Sequence, residues 1–312
     1  MKVCAIVVTY NPNIDVLARM LASLSLQVPH IVIVDNGSSN KAAVFALASD
    51  VIHMHPLERN FGIARAHNQG IERARELDAQ AVLLMDQDSV PAHDMVQNLT
   101  NSLSTLMAKG ERVSAVGACY FGTEEDNESF FVRFGLLRFK RQYCSECEIG
   151  ETLVPADFLI SSGSLIPMST IDGVGEMDER LFIDHVDTDW FLRAAHSGFQ
   201  AYGDCRALME HGLGERTLKI WIGRTRHVPQ HRPFRYYYIY RNSVLLYRRS
   251  YAPLKWVIND VWRLVGIGLL YTIFCAPRYQ NFKMMLAGIR DGFLGKTGRE
   301  IIATSVALKA ES

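Results

Sequence analysis

Along the first ninety residues the chain switches repeatedly between two hydrophobic periods. Val3 to Val8 is an apolar run rich in β-branched residues that stops at Thr9-Tyr10-Asn11-Pro12, which predicts a strand followed by a breaker. Ile14, Leu17, Leu21 and Leu24 then recur at helical spacing until Gln27-Val28-Pro29 ends the pattern. The cycle repeats with a strand from His30 to Val34, a helix from Ala42 to Ala48, and a short strand from Val51 to Met54. A helix from Ile63 to Leu77 and a strand from Ala81 to Met85 complete it. Strands that are apolar throughout are buried on both faces, and repeated β-α order predicts an α/β fold with a mostly parallel sheet. Ligands of such sheets lie beyond the carboxyl ends of the strands, which connections of one hand gather along one edge. The polar clusters Thr9-Tyr10-Asn11, Asp35-Asn36 and Asp86-Gln87-Asp88 are therefore expected to converge.

Composition narrows the class. With 312 residues, 48% hydrophobic and 21% charged, the chain reads as globular, and 33 basic against 33 acidic residues exclude a general polyanion binder. The first ten residues lack the long apolar core of a secretory signal, so a cytoplasmic location is expected. Cys4 and Cys275 sit in apolar runs as small buried hydrophobes, while Cys144 and Cys147 form a lone CxxC that reads as a surface loop. All six thiols are expected to be reduced.

Asp86 and Asp88 flank one residue at the end of a hydrophobic strand, so their side chains share a face and can reach one hard cation. A helix N-cap is the plainer use of the same triplet. No GxGxxG follows the first strand, which weighs against a nicotinamide enzyme. Further on, Asp184, Asp187 and Asp189 lie within six positions among large apolar groups. A carboxylate at the start of a helix there can serve as a general base or as a cap.

Read in order, VVTYNP, VDNGSS, NFGIARAHNQGI, LLMDQDS, FLISSGSLIP, LFIDHVDTDWFLRA, MEHGLG and RYYYIYRNS resemble an inverting family 2 glycosyltransferase, most of all bacterial rhamnosyltransferases, over roughly residues 2 to 250. The resemblance implies the GT-A, or nucleotide-diphospho-sugar transferase, fold with a mostly parallel central sheet and a C-terminal helical region. It implies donor nucleotide contacts at Thr9, Asn11, Asp35, Asn60, Gly62, Asn68, Asp86 and Gln87. Asp86 and Asp88, joined by His211, match a site for a divalent cation, Mg2+ or Mn2+. Asp187 matches the second acid of the family's Glu-Asp pair, the catalytic base. The preceding position here is Val186, which keeps Asp189 open as the alternative. The implied donor is dTDP-L-rhamnose and the implied acceptor a saccharide or lipid-linked sugar in cell-surface polysaccharide assembly. A UDP-hexose donor, a glycolipid product, nucleotidyl transfer or a non-catalytic nucleotide-sugar-binding role are the alternatives. Gly163, Trp190, Arg216, Arg235, Tyr237 and Arg241 are candidates for the acceptor or its phosphates.

Boundaries follow from composition. A catalytic domain is expected over 2–215, with a nucleotide-sugar half at 2–122, a polar segment at 123–150 and an acceptor half at 151–215. Residues 216–312 form a basic, aromatic, helical region. Arg216 to Arg249 holds nine Arg or Lys, seven aromatics and no acid. Acceptor recognition beside a membrane suits that stretch better than nucleic acid. Leu264 to Ala276 carries no charge but is too short to span a bilayer. It is expected to lie on the cytoplasmic face of the inner membrane, or else to form a buried hairpin or an oligomer interface.

Overall fold

The computed structural model describes residues 1–121, 130–136, 138–146, 152–211, 217–221, 225–229 and 231–299. Its strands are β1 (Val3–Thr9), β2 (His30–Asp35), β3 (Ile52–Pro56), β4 (Ala81–Asp86), β5 (Ser89–Pro91), β6 (Val113–Phe121), β7 (Phe130–Phe134), β8 (Phe139–Tyr143), β9 (Leu153–Ala156), β10 (Ser164–Pro167), β11 (Gln200–His211), β12 (Thr217–Trp221) and β13 (Thr225–Pro229). Its helices are α1 (Ile14–Ser25), α2 (Lys41–Phe45), α3 (Ile63–Glu76), α4 (Met95–Ala108), α5 (Met168–Val174), α6 (Val186–His196), α7 (Pro233–Tyr247), α8 (Leu254–Ile273) and α9 (Arg278–Phe293). The described residues divide into two compact units. One holds Met1–Arg133, Lys140–Asp178 and Asp187–Gly212; the other holds Phe134–Phe139, Glu179–Val186 and the chain from residue 213 onward.

A nine-stranded sheet in the order β3-β2-β1-β4-β10-β6-β11-β5, with β9 also on β11, organises the first unit. β1, β2, β3 and β4 are mutually parallel. β10 is antiparallel to both β4 and β6, so β6 runs with β4, and β11 runs with β6. Six strands thus share one direction, which is the mostly parallel sheet of the GT-A fold. The period-2 rule assigns the layers. Val3, Ala5 and Val7 of β1 join α1 and α4 residues such as Leu17 and Leu103 in one buried cluster. Ile6 points the other way, and its Cγ2 lies where a Cβ on Gly70 of α3 would stand. Helices therefore cover both faces, which is why β1 can be apolar at every position from Val3 to Val8.

The second unit holds the expected C-terminal helices α7, α8 and α9 and, beside them in sequence, β12 and β13, which pair as an antiparallel hairpin. α7 is its core: every residue from Tyr236 to Leu246 is buried. The basic, aromatic composition of this helix therefore serves the interior rather than a surface. α9 packs on α7 closely enough that a Cβ at Gly288 would run into the Tyr237 carbonyl. A Cβ at Gly292 would stand 2.7 Å from Val244 Cβ and 2.8 Å from the Arg241 carbonyl oxygen.

The cysteines depart from expectation. Cys144 is joined to Cys205, 61 residues away, and the Cys119 sulfur lies 3.6 Å from Cys144. Cys205 sits where the β11–β6 register shifts, between Asp204 and Leu208, a break that spacing cannot announce. The reading of Cys144 as a free thiol in a reducing compartment is corrected; Cys147 lies outside the described residues.

His67 on α3 is fully buried with no partner at either ring nitrogen, and burial pushes its imidazole down to about 4. Above the unfolded value of 6.5 neither state carries the proton. Between 6.5 and about 4 the unfolded chain takes it up and the folded chain refuses it. Stability should therefore fall by about 1.4 kcal/mol for each pH unit lost in that window. His67→Leu is expected to flatten this limb, as read from urea unfolding midpoints at pH 7 and pH 5; equal slopes in the two proteins would refute the assignment.

Candidate active site

β1, β2 and β4 end level with one another, Thr9 pairing with Asp35 and Val8 with Asp86. The convergence expected from topology is thus present, and side chains lock it. Asp35 is almost fully buried; the Thr9 hydroxyl donates to its Oδ2 and the Ser38 N–H to its Oδ1, both at 3.0 Å. Asn11 Oδ1 accepts from the Ser39 N–H and hydroxyl, each at 2.8 Å. Gln87 Oε1 accepts the Tyr10 N–H at 2.8 Å, so the loop after β4 is tied to the end of β1.

The loop after β3 is fastened from β2. Asn36 Oδ1 accepts the Phe61 N–H at 2.9 Å, and its amide donates to Asn60 Oδ1 and the Gly62 carbonyl, each at 3.3 Å. Gly62 opens α3 at φ 95°, and Gly37 sits at φ 83° with Arg59 backbone atoms 2.6 Å from where a Cβ would be. Both positions need glycine. Asn68 does something else: its amide brackets Met177, donating to the carbonyl at 3.0 Å and accepting from the N–H at 2.9 Å.

Asp86 and Asp88 are half-buried at the end of β4. Two groups that sequence reasoning missed support them. The Asp86 N–H donates to Ser162 Oγ at 3.1 Å, and Ser162 donates to Ser89 Oγ at 2.9 Å. The signal is present in the SSG and DQDS strings, where small hydroxyls flank a turn. Gly163 next door sits at φ 78°, and a Cβ there would stand 2.9 Å from both Ala118 Cβ and Met209 Sδ, a tight packing point. β5 pairs with β11 so that His211 stands opposite Ser89, one residue beyond Asp88. The strand register therefore brings the three proposed ligand positions to one corner of the sheet. Two carboxylates and an imidazole are a donor set suited to Mg2+ or Mn2+. Among the described residues no three ligating side chains are close enough to hold a metal by themselves.

The two candidate bases separate clearly. Asp189 is fully buried and paired through Oδ2 with Arg193 Nε at 2.9 Å, while the same guanidinium donates to the Val174 and Glu176 carbonyls. Asp187 is half-buried, and its Oδ1 accepts the Thr188 N–H at 2.7 Å in the first turn of α6. Trp190 is fully buried with its indole N–H on the Gly175 carbonyl at 2.8 Å, a core position.

The loop leading into α6 is held by unusual geometry. Phe182, Asp184 and His185 adopt φ of 66°, 61° and 63°, which non-glycine residues rarely do. Contacts from α7 hold it there. Asn242 donates to the Leu181, Ile183 and Asp184 carbonyls at 2.8–2.9 Å, and Arg241 to the Leu181 carbonyl at 2.9 Å. Arg235 pairs with Asp184 at 2.7 Å. Ser243 Oγ and Arg263 lie 2.9 and 3.0 Å from His185 Nε2. Asp260 is buried, which by itself would raise its carboxyl, but Arg263, His185, Ser243 and Tyr247 together hold it below the usual range. Arg241 is fully buried, and the Tyr237 hydroxyl donates to Asp291 at 3.1 Å. Both side chains are thus engaged inside the second unit. Arg216 lies outside the described residues.

A mostly parallel sheet with helices on both faces and a level row of polar strand ends at one edge is the GT-A fold. The model of glycosyl transferase family 2 matches residues 4–160, and the chain belongs to that family. It is similar to the dTDP-rhamnosyl transferase RfbF of Shigella flexneri, 28% identical over 301 residues, covering 95% of this chain and 97% of that one. It is also similar to the galactofuranosyltransferase GlfT1 of Mycobacterium tuberculosis, 29% identical over 282 residues, covering 87% and 90%. Among solved structures, GalNAc-T7 with UDP, GalNAc and Mn2+ shares the fold with a TM-score of 0.55 at 14% identity, covering 68% of this chain and 44% of that one.

Asn242→Ala should cost about 1–3 kcal/mol in urea unfolding, because the Ile183 and Asp184 carbonyls lose this donor and the Leu181 carbonyl keeps only Arg241. Turnover is expected to drop with the donor KM unchanged; a variant that matches the parent in both stability and turnover would refute the clamp.

Proposed function

We propose that this glycosyltransferase is an inverting rhamnosyltransferase that moves L-rhamnose from dTDP-L-rhamnose to a saccharide or lipid-linked acceptor in cell-surface polysaccharide assembly of the O-antigen or lipopolysaccharide type. The observation that carries this reading is the similarity to RfbF across 95% of the chain. A second reading, a different nucleotide sugar such as a UDP-hexose, is favoured by the similarity to GlfT1. A nucleotide-linked donor is a product of intracellular metabolism, so the reaction belongs on the cytoplasmic side of a membrane.

Thr9, Asn11, Asp35, Asn60, Gly62 and Gln87 form the rim that receives the donor nucleotide, already fixed by the hydrogen bonds among their loops. Such preorganisation spares the enzyme the cost of ordering them on binding. Asn68 supports the rim through Met177. Asp86, Asp88 and His211 would hold Mg2+ or Mn2+, and a divalent ion there supplies positive charge against the donor diphosphate.

Asp187 takes the proton of the acceptor hydroxyl as that oxygen bonds to the anomeric carbon, while the bond from that carbon to the diphosphate breaks on the opposite face. One displacement inverts the configuration, and the electron pair leaves with the nucleoside diphosphate. A free carboxyl has a pKa of about 4, so proton transfer accompanies bond formation rather than preceding it. Asp189 is unsuited to this task, because its carboxylate is buried against Arg193.

Thermal unfolding with a panel of nucleotide sugars tests the donor, since a specific ligand raises the midpoint by mass action. dTDP-L-rhamnose is expected to protect both the parent and Asp187→Asn, with turnover in the variant down about a hundredfold or more. Protection by a uridine-linked donor alone would overturn the rhamnose assignment, and full activity of Asp187→Asn would overturn the base. For the cation, chelation is expected to abolish transfer and Mg2+ or Mn2+ to restore it. Undiminished release of nucleoside diphosphate after exhaustive chelation would remove Asp86, Asp88 and His211 as ligands.

A further inference from the structure

The second unit turns apolar side chains outward along both of its last two helices. On α8 the exposed ones are Leu254, Val261, Trp262, Val265, Leu269 and Ile273. From Val261 onward they recur every three or four residues, with Trp262 adjoining the first. That spacing makes a single stripe along the helix. Leu269 is 59% exposed and Trp262 63%. On α9, Tyr279, Phe282, Leu286 and Phe293 repeat the arrangement. The opposite sides of the same helices supply the core, through Leu264, Tyr271 and Met285. Each helix is therefore amphipathic with its apolar residues divided between an inner and an outer face. Single exposed apolar residues are ordinary, but two stripes on consecutive helices are not.

Charge gives the stripes their meaning. Between residues 250 and 299 the acids are Asp260 and Asp291 alone, and both are buried. Asp260 is paired with Arg263, and Asp291 with Arg290 and Lys296. Lys255, Arg278, Lys283, Arg290, Lys296 and Arg299 are exposed. Every exposed charged residue of this stretch is thus positive. No described helix is long and apolar enough to cross a membrane.

We propose that α8 and α9 form a docking surface for an anionic lipid bilayer, lying in its headgroup region with Trp262, Leu269, Phe282 and Leu286 inserted and the lysines and arginines on lipid phosphates. Aromatic and aliphatic anchors beside basic residues are the composition of a helix that rests on a membrane. A second copy of the chain fits less well, because a two-fold interface sets each surface patch against its own kind and would bring these cations together. The surface uses no residue assigned to donor binding or proton transfer, so it stands or falls independently of the sugar reading.

Co-sedimentation of the full chain with vesicles tests it, comparing phosphatidylcholine alone with phosphatidylcholine containing a third phosphatidylglycerol. The bound fraction is expected to be at least about tenfold higher on the anionic vesicles and to fall with added salt. Trp262→Glu/Leu269→Glu and Phe282→Glu/Leu286→Glu should each abolish binding while thermal unfolding and protection by the donor stay as in the parent. Equal recovery with and without vesicles would overturn the proposal. So would a parent that sediments as a dimer, is split by these substitutions and ignores lipid. Loss of binding in only one of the two double variants would exclude the other helix from the surface.

Discussion

The parallel register of β1 with its two neighbours is the constraint from which the site follows. A parallel strand in the middle of a sheet surrenders its backbone donors and acceptors to the strands on either side, and helices then cover both faces. Nothing along β1 remains available to a ligand until the strand ends. Chemistry is displaced to the carboxyl edge, where Thr9 meets Asp35 and Val8 meets Asp86. A buried carboxylate such as Asp35 is tolerable only with its oxygens satisfied, and Thr9 and Ser38 satisfy them. The interaction that makes the buried acid tolerable is the same one that fixes two loops.

The second unit solves a different problem with similar means. Three consecutive polar side chains of α7, namely Arg241, Asn242 and Ser243, hydrogen-bond the loop that contains Phe182, Asp184 and His185. Left-handed conformations at non-glycine residues cost of order 1–3 kcal/mol each and persist only where their surroundings over-determine them. The carbonyls such a turn exposes are the ones that Asn242 collects. Burying a fully charged arginine within a helix core is otherwise unfavourable, and Arg241 is stabilised because it too ends on backbone oxygens and stacks over the Tyr238 ring at 4.7 Å.

Much of the first unit is legible in the chain because its signals are local. Strands apolar throughout, bounded by Asn-Pro, Asn-Gly and Asp-Gln-Asp, announce β1 to β4 and the edge on which their ends meet. What escapes are features set by distant partners. The Ser162 hydroxyl beneath Asp86 comes from 76 residues away, and Cys205 finds Cys144 across a register break. The α7 string RYYYIYRNS reads as a ligand surface because arginine and tyrosine are usual there. Its burial depends on Gly288 and Gly292 of α9, whose missing side chains let that helix approach. Composition reports what a residue can do; only the neighbours decide whether it faces a solute or a carbonyl.

The choice between the two acids of α6 follows from helix geometry. Successive residues of an α-helix turn through about 100°, so side chains two apart point in nearly opposite directions. Asp189 is committed to the interior by Arg193 and by Trp190 beside it, both tied to the 174–176 segment. Asp187, two residues earlier, must then face away from that interior. Val186, the residue before it, is 3% exposed. A carboxylate in its place would be buried in turn, which makes the valine consistent with a helix that presents one acid outward from its first turn. Its place in the first turn sets that acid in the field of the helix's unpaired amides, with its Oδ1 on the Thr188 N–H.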